Sequence, residues 1–316
     1  MQSKYLILGA TGSIGYAFTR ELLNRGIPVD ILVRDETKAR NLFQNNPLLH
    51  IRTGDARNPE QLREAASDKD FLFFGLNVPY PQWETKMIPA TEQILEAATQ
   101  NRSTILFPGN IYAYGNTKEP ITEDTVPLLE TKKGRVRMQM EEMLQQAAGE
   151  GRCRVINLRL PDFWGPNVTN GLIRPLFGNA ARKKPMVWMI RSDVPHQFVY
   201  TPDAARMFHL LSREQDLPPY ALFNFGGHVV PSVLDFAMRI SSLAGSPPRL
   251  KLHSRGSLKL LGHLVPVIRE LEENFPQFEN PILLDDAKLR NRFPGELNTE
   301  LDTAIRETLE WFRKQG

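Results

Sequence analysis

Short apolar runs punctuate the first part of the chain: KYLILG at 4–9, VDILVR at 29–34, LLHIRTGD at 48–55, DFLFFGL at 70–76 and TILFPG at 104–109. Each has strand length, and the stretches between them carry helical spacing. The pattern predicts a parallel sheet covered by helices on both faces. Ile14, Phe18 and Leu22, followed by Gly26, predict a helix of about three turns that stops at the glycine. A longer helix is expected over 81–101, with Ile88, Thr91, Leu95 and Ala98 on one face. Past Pro127, a helix starting near Thr131 carries Val136, Met140, Met143, Leu144 and Ala147 on an apolar stripe, with Lys133, Arg137 and Glu141 on another. A sixth strand is expected within 152–167, breaking into a proline-rich loop. Beyond it the pattern predicts helices near 203–213, 231–243, 258–273 and 299–314, and a short strand at ALFNFGG. The fold class is α/β, a doubly wound parallel sheet with a smaller, discontinuous C-terminal lobe.

Composition narrows the function classes. With 316 residues, 41% apolar and 24% charged, the chain is an ordinary globular protein with room for a large core. No apolar run approaches the ~20 residues of a membrane span, so no membrane partner is expected. MQSKYLILGATG passes from polar residues directly into a strand, which leaves no room for a signal peptide, and Cys153 is the only cysteine. Both point to a reducing cytoplasm. The net charge of +3 is the remainder of 39 basic and 36 acidic side chains, too small to imply a nucleic-acid partner. Histidines at 50, 196, 209, 228, 253 and 263 show no metal-ligand spacing, so no metal site is expected.

The strongest local signal is LILGATGSIG, which sets Gly9, Gly12 and Gly15 after a strand and at the start of a helix, with Thr11, Ser13 and Ile14 between them. Such a loop gives a tight turn, close backbone approach to a pyrophosphate and an anion site at a helix N-terminus. It predicts a Rossmann-type dinucleotide site. After the second strand, Arg34 and Lys38 favour the 2′-phosphate of NADP, while Asp35 keeps NAD as the second choice.

Six segments taken in order resemble the extended and atypical short-chain dehydrogenase/reductases, the group that contains nucleotide-sugar epimerases and dehydratases. They are GATGSIG (9–15), TGDARNPEQL (53–62), ILFPGNIYAYG (105–115), LRLPDFWGPN (158–167), HQFVYTPDAARMF (196–208) and LFNFGG (222–227). The resemblance implies an NAD(P)-binding Rossmann domain over 1–160 with returning segments near 195–228. It implies a small substrate lobe from 161–194 and 229–300, then a C-terminal helix at 301–316. It also implies that Asp55 and Ala56 lie near the adenine, that Leu76, Asn77 and Val78 pass the ribose and phosphates, and that Pro108 and the loop from Leu160 to Phe163 approach the nicotinamide. Asp203 matches an aspartate with a structural role. A small-molecule substrate such as a nucleotide sugar, and a homodimer formed through helices of the catalytic region, are implied in the same way.

The departures from the family pattern carry the interest. Members have Ser or Thr five residues before the glycine of a Tyr-Gly pair; counting back from Gly115 gives Asn110. They have Tyr-x-x-x-Lys with a glutamate eight residues after the tyrosine; counting back from Glu141 gives Lys133 and Arg137. Tyr114 and Lys118 also fit Tyr-x-x-x-Lys, but YGNTKEP is turn-rich and ends in proline, so the pair cannot share a helix face, and Lys118 reads as a solvated loop charge. In the family mechanism the tyrosine moves a proton while the cofactor moves a hydride. Arg137 imitates the lysine's charge but does not exchange a proton near neutrality, and Asn110 can orient a carbonyl. Lys133, then Tyr112, are the acid–base candidates, with a tyrosine of the C-terminal lobe or a bound water as the further alternatives; otherwise Lys133 is a surface charge.

Lys132, Lys133, Arg135 and Arg137 crowd the N-terminal turns of their helix, where the macrodipole disfavours cations. Cofactor phosphates, an acidic substrate, Glu130 or Asp124 would relieve that conflict. Two functions follow. One is an NADP(H)-dependent oxidoreductase or epimerase of altered acid–base chemistry; the alternative is a non-catalytic NADP(H)-binding sensor, similar to nitrogen-metabolite-repression regulators of the same superfamily.

Overall fold

The structure, a computed structural model, describes residues 3–115, 117, 119–262, 272–280, 282–295 and 297–315. The strands are β1 (Tyr5–Leu8), β2 (Val29–Val33), β3 (Leu49–Thr53), β4 (Phe71–Phe74), β5 (Thr104–Asn110), β6 (Arg154–Leu160), β7 (Asp162–Trp164), β8 (Met186–Met189), β9 (His196–Tyr200), β10 (Tyr220–Asn224), β11 (His228–Val230) and β12 (Leu250–His253). Seven of them form one sheet in the order β10-β6-β5-β4-β1-β2-β3. The pairings of β1 with β2 and β4, of β2 with β3 and of β4 with β5 are all parallel. The five predicted N-terminal strands all form; β1, β2 and β4 are largely buried, while β3 is a part-exposed strand at the sheet edge.

Between them lie α1 (Ser13–Asn24), α2 (Glu36–Phe43), α3 (Pro59–Ala66), α4 (Trp83–Asn101) and, after β5, α5 (Lys132–Gly149). Asp35 caps α2 by accepting from Lys38 N at 2.8 Å, and Asn58 caps α3 through Glu60 N and Gln61 N. The sequence order reverses beside β1, with β4 on one side and β2 on the other. Open α/β sheets bind ligands at such a point, outside the carboxyl ends of the strands.

Two compact units result. The first comprises Met1–Asn110, Arg135–Arg159 and Ala204–Phe223; the second comprises Ile111–Gly134, Leu160–Asp203 and Asn224–Gly316. Residues 111–134, expected with the sheet, thus belong to the second unit. The first unit's core includes Phe18, Phe73 and Phe208, with Phe73 and Phe208 edge-on at 5.2 Å. In the second unit Trp164 stacks on Phe177 at 5.1 Å and meets Phe236 at 5.3 Å, and the terminal helix Leu301–Lys314 packs Ala304, Ile305, Leu309 and Phe312 into the same core. A three-stranded sheet, β11-β9-β7, and the β12-β8 pair complete it. None of these short strands was read from the sequence: four include polar residues, and the fifth, β8, is an apolar run of only four residues, MVWM.

The later helices form at Thr201–Ser212, Val233–Ala244, Arg255–Gly262 and Leu301–Lys314. Residues 263–271 of the helix expected over 258–273 lie outside the described residues, as does Lys118, and Glu272–Asn274 form a short 3₁₀ turn. Asp203, 1% exposed, accepts from Thr299 N at 2.9 Å and Thr299 Oγ1 at 2.6 Å. It therefore ties the start of one helix to the approach of the terminal helix, a structural role. Asp203→Ala is expected to cost about 2–4 kcal/mol, because two charge-assisted hydrogen bonds are lost in a buried place. Urea unfolding followed by tryptophan fluorescence measures it.

Candidate functional site

In the first unit the glycine loop forms a backbone cradle. Gly9 sits at φ +81°, and a Cβ there would collide with the carbonyl of Gly75; a Cβ on Gly15 would collide with the carbonyl of Gly9. Gly75 in turn leaves no room for a Cβ, which would lie 2.7 Å from Leu8 O. The ends of β1 and β4 are thus pressed backbone to backbone. Gly12 differs: it is exposed, and a Cβ there would meet only Gly9 O, at 3.2 Å. It is the N-cap of α1, gives no side-chain hydrogen bond, and no acidic residue lies in the first turn. The first amides of α1, from Ser13 to Gly15, have no partner within the helix, and no acidic side chain in that turn opposes an anion. Thr11 is half-buried beside them. This arrangement fits a dinucleotide pyrophosphate.

At the ends of the neighbouring strands, Arg34, Asp35 and Lys38 are exposed just past β2. Asp35 is engaged as the cap of α2. Asp55 follows β3; Arg57 donates to it through Nε at 3.0 Å and Nη2 at 2.6 Å, and this guanidinium holds the Asp55 carboxyl below the usual carboxylate range. Ala56 is buried. After β4, Asn77 Oδ1 accepts from Val78 N and from Trp83 Nε1, each at 2.9 Å, and Trp83 Nε1 also donates to Val78 O at 2.9 Å. Leu76 stands half-buried before them.

Arg137 links this segment to β5. Its guanidinium lies 4.6 Å from the Phe107 ring centroid and 6.0 Å from that of Trp83, and Nη2 donates to Pro108 O at 2.5 Å. Arg137 is buried, so its charge is held by aromatic faces and a carbonyl at the end of a strand. The structure therefore brings together Asn77, Val78, Pro108 and Arg137. Trp83 and Gly75, the residues that make this possible, were missed from sequence. For Gly75 a signal existed, since FLFFG and LILG both end an apolar run on glycine. Asn110 closes β5, half-buried.

The second unit holds the remaining candidates. Tyr112 is half-buried in a short 3₁₀ turn, Tyr112–Tyr114, and Tyr114 is buried, as expected for a Tyr-Gly pair rather than a helical catalytic motif. Helix α5 starts where predicted, and its first amides are all engaged. Thr131 Oγ1 accepts from Gly134 N at 2.9 Å, while the Glu273 carboxylate accepts from Lys132 N at 2.8 Å and Lys133 N at 3.4 Å. Lys133 Nζ donates to the same carboxylate at 2.5 Å. Lys133 is 3% exposed, which corrects its reading as a surface charge. An anion at this crowded basic turn is Glu273, and nothing near in sequence could have announced it.

Leu160 is buried at the end of β6, and Phe163 is half-buried in β7. Between them Asp162 Oδ2 stands 2.9 Å from His196 Nε2, a pairing that spacing rules for metals do not detect. Among the described residues no cluster of His, Cys, Asp and Glu is arranged to hold a metal, and no helix is long and apolar enough to cross a membrane.

A doubly wound sheet with a glycine cradle at its switch point defines a dinucleotide-binding α/β protein. Residues 5–226 match the model of the NAD dependent epimerase/dehydratase family, and the chain belongs to that family. Among its relatives is the UDP-N-acetyl-alpha-D-glucosaminuronate decarboxylase of Bacillus cytotoxicus, 23% identical over 336 residues that cover 99% of each chain. The fold is shared with UDP-glucuronic acid 4-epimerase from Bacillus cereus, solved in complex with NAD (17% identity, TM-score 0.77, 99% of each chain). It is shared equally with UDP-glucose 4-epimerase from Bifidobacterium longum, solved with NAD+ and UDP (17% identity, TM-score 0.79, 99% of this chain and 98% of that one).

Proposed function

We propose that this protein is a nicotinamide-dinucleotide-dependent enzyme acting on a nucleotide sugar, with acid–base chemistry that departs from the tyrosine-based pattern. The observation that carries the reading is the cradle itself: Gly9 and Gly75 in backbone contact, and Gly12 exposed at the N-terminus of α1. When bound, the nicotinamide supplies hydride transfer. The chain's own residues hold the pyrophosphate on the first amides of α1, and Arg137 fixes the Pro108 carbonyl. Asn110 offers an amide donor for a substrate oxygen, and Tyr112 a hydroxyl that can exchange a proton.

The relatives named above favour NAD. Exposed Arg34 and Lys38, with Asp35 turned to capping α2, are the features that keep NADP in the test. Membership of a family of nucleotide-sugar enzymes supports the substrate class. A panel of UDP-glucose, UDP-glucuronic acid and their N-acetylated counterparts, incubated with NAD+ or NADP+ and followed by NMR of the sugar carbons, tests it. Conversion of one panel member, lost in Asn110→Ala, is the expected result. A homodimer belongs to the same reading and is checked by light scattering.

The sensor reading is favoured by one observation: Lys133 is already committed to Glu273, so the position counted as the tyrosine's carries an ion pair. Tight cofactor binding without conversion of any sugar in the panel would select it.

A further inference from the structure

Two stretches of the chain, 163–192 and 236–262, hold no acidic residue. Together they carry ten lysines and arginines, which leaves 29 basic against 36 acidic side chains for everything else. The near balance of the whole chain thus conceals a strong local separation of charge. The fold brings the two stretches side by side within the second unit. Strand β12 pairs in parallel with β8, setting Leu250 opposite Met186 and Lys251 opposite Val187, and Met186 N donates to Arg249 O at 2.9 Å.

Four of the ten cations, Arg191, Arg239, Arg255 and Lys259, each meet a carboxylate. Arg182, Lys183, Lys184, Arg249 and Lys251 meet none among the described residues, and all five are exposed. They gather at one end of the β8–β12 pair, the triplet just before β8 and Arg249 directly before β12. The triplet sits on an ordered turn: Lys183 N donates to Ala180 O at 3.0 Å, Lys184 N to Asn179 O at 2.9 Å, and Asn179 Nδ2 to Pro185 O at 2.9 Å. Like charges gathered without a counter-ion repel one another, and a polyanion relieves that repulsion. The same segment exposes leucines. Leu252 is 49% exposed on β12, and Leu260 is 72% exposed on the helix Arg255–Gly262. Side chains alternate across a strand, so Lys251 and Leu252 lie on opposite faces of β12; an edge-on approach reaches both, because β12 pairs with β8 alone among the described strands.

We infer that this end of the second unit docks on an anionic membrane surface, its five carboxylate-free cations drawn to lipid headgroups and Leu252 and Leu260 entering the interface beside them. Binding of this kind grows with the apolar area buried and with the attraction of basic residues to acidic lipids, and the segment supplies both. A nucleic acid would engage the same cations, but phosphate contacts give the exposed leucines nothing to do. Peripheral attachment needs no spanning helix, so a search of the sequence for a long apolar run could not have found it. The inference is independent of the reaction proposed above.

Flotation of the full-length protein with vesicles of phosphatidylcholine, alone or in equal parts with phosphatidylserine, tests it. The mixed vesicles are expected to bind about tenfold or more tightly than the neutral ones, and raised salt to weaken that binding. Lys183→Gln combined with Lys251→Gln is expected to weaken it about thirtyfold, at roughly a fivefold loss for each cation near a charged surface. Arg63→Gln combined with Arg152→Gln removes the same charge from exposed positions of the first unit and should stay within about twofold of wild type. Leu252→Ser combined with Leu260→Ser should weaken vesicle binding about tenfold and leave binding to a DNA duplex unchanged. All the substituted side chains but one are exposed lysines, arginines or leucines at the surface, that one being no exception in exposure, and circular dichroism verifies that each variant is folded. Equal binding to neutral and mixed vesicles overturns the inference. So does a first-unit control that loses as much as the Lys183 and Lys251 variant, because net charge rather than this surface would then act. A DNA duplex bound more tightly than the mixed vesicles, with the leucine variant unchanged toward both, assigns the surface to nucleic acid and overturns it as well.

Discussion

Gly9→Ala is expected to destabilise the first unit by about 2–5 kcal/mol and to abolish cofactor binding, whereas Gly12→Ala leaves the fold intact and weakens binding alone. The left-handed φ at Gly9 costs a residue with a Cβ roughly 1–2 kcal/mol, and driving that Cβ into packed backbone costs about 1–3 more. The collision is with the carbonyl of Gly75, which belongs to the neighbouring strand connection and has no rotamer through which to escape. Gly12 is exposed and a Cβ there would meet only Gly9 O, at 3.2 Å, so its methyl chiefly obstructs what approaches the helix N-terminus. Urea unfolding with fluorescence-detected NADH titration separates the two effects. Equal stability of Gly9→Ala and wild type would mean that β1 and β4 are not in backbone contact.

Glu141→Ala is expected to cost about 3–5 kcal/mol, the range for breaking a buried ion pair from one side. Glu141 is 4% exposed on α5, and its carboxylate lies 3.4 Å from the guanidinium of Arg159, 2% exposed on β6. Alanine removes the carboxylate from a charge that water does not reach. Glu141→Gln, which still accepts a hydrogen bond, should cost less. Chemical denaturation at pH 7 measures both; a loss under about 1 kcal/mol for the alanine variant would show that Arg159 is satisfied without Glu141.

What the sequence made legible follows from range. The central strands β1 and β4 are contiguous apolar runs, β2 is one but for Asp30, and the glycine loop is a contiguous motif, so these could be read locally. The start of α5 was also readable, because Thr131 lies directly before it and accepts from Gly134 N. Its counter-ion was not, since Glu273 reaches it from another part of the second unit. The conflict of cations at that turn is visible in the sequence, but the remedies it suggests are cofactor phosphates, an acidic substrate or the nearest acids, Glu130 and Asp124. Trp83 was likewise hidden: it opens an amphipathic helix, where an aromatic residue is ordinarily core, and only the fold shows its indole bridging Asn77 and Val78. Asp162 and His196 come together because β7 and β9 pair, a register that no local pattern announces.

The most direct test of the account is a titration of the purified protein with NADH and NADPH, followed by nicotinamide fluorescence, with Gly12→Ala and Arg34→Ala alongside. The account predicts saturable binding of a reduced dinucleotide that weakens in Gly12→Ala. NAD as cofactor is indicated by NADH binding more tightly with no change in Arg34→Ala; NADP, by NADPH binding more tightly and Arg34→Ala removing the preference. Absence of binding by NADH, NADPH and their oxidised forms to a folded wild-type protein would contradict the central claim.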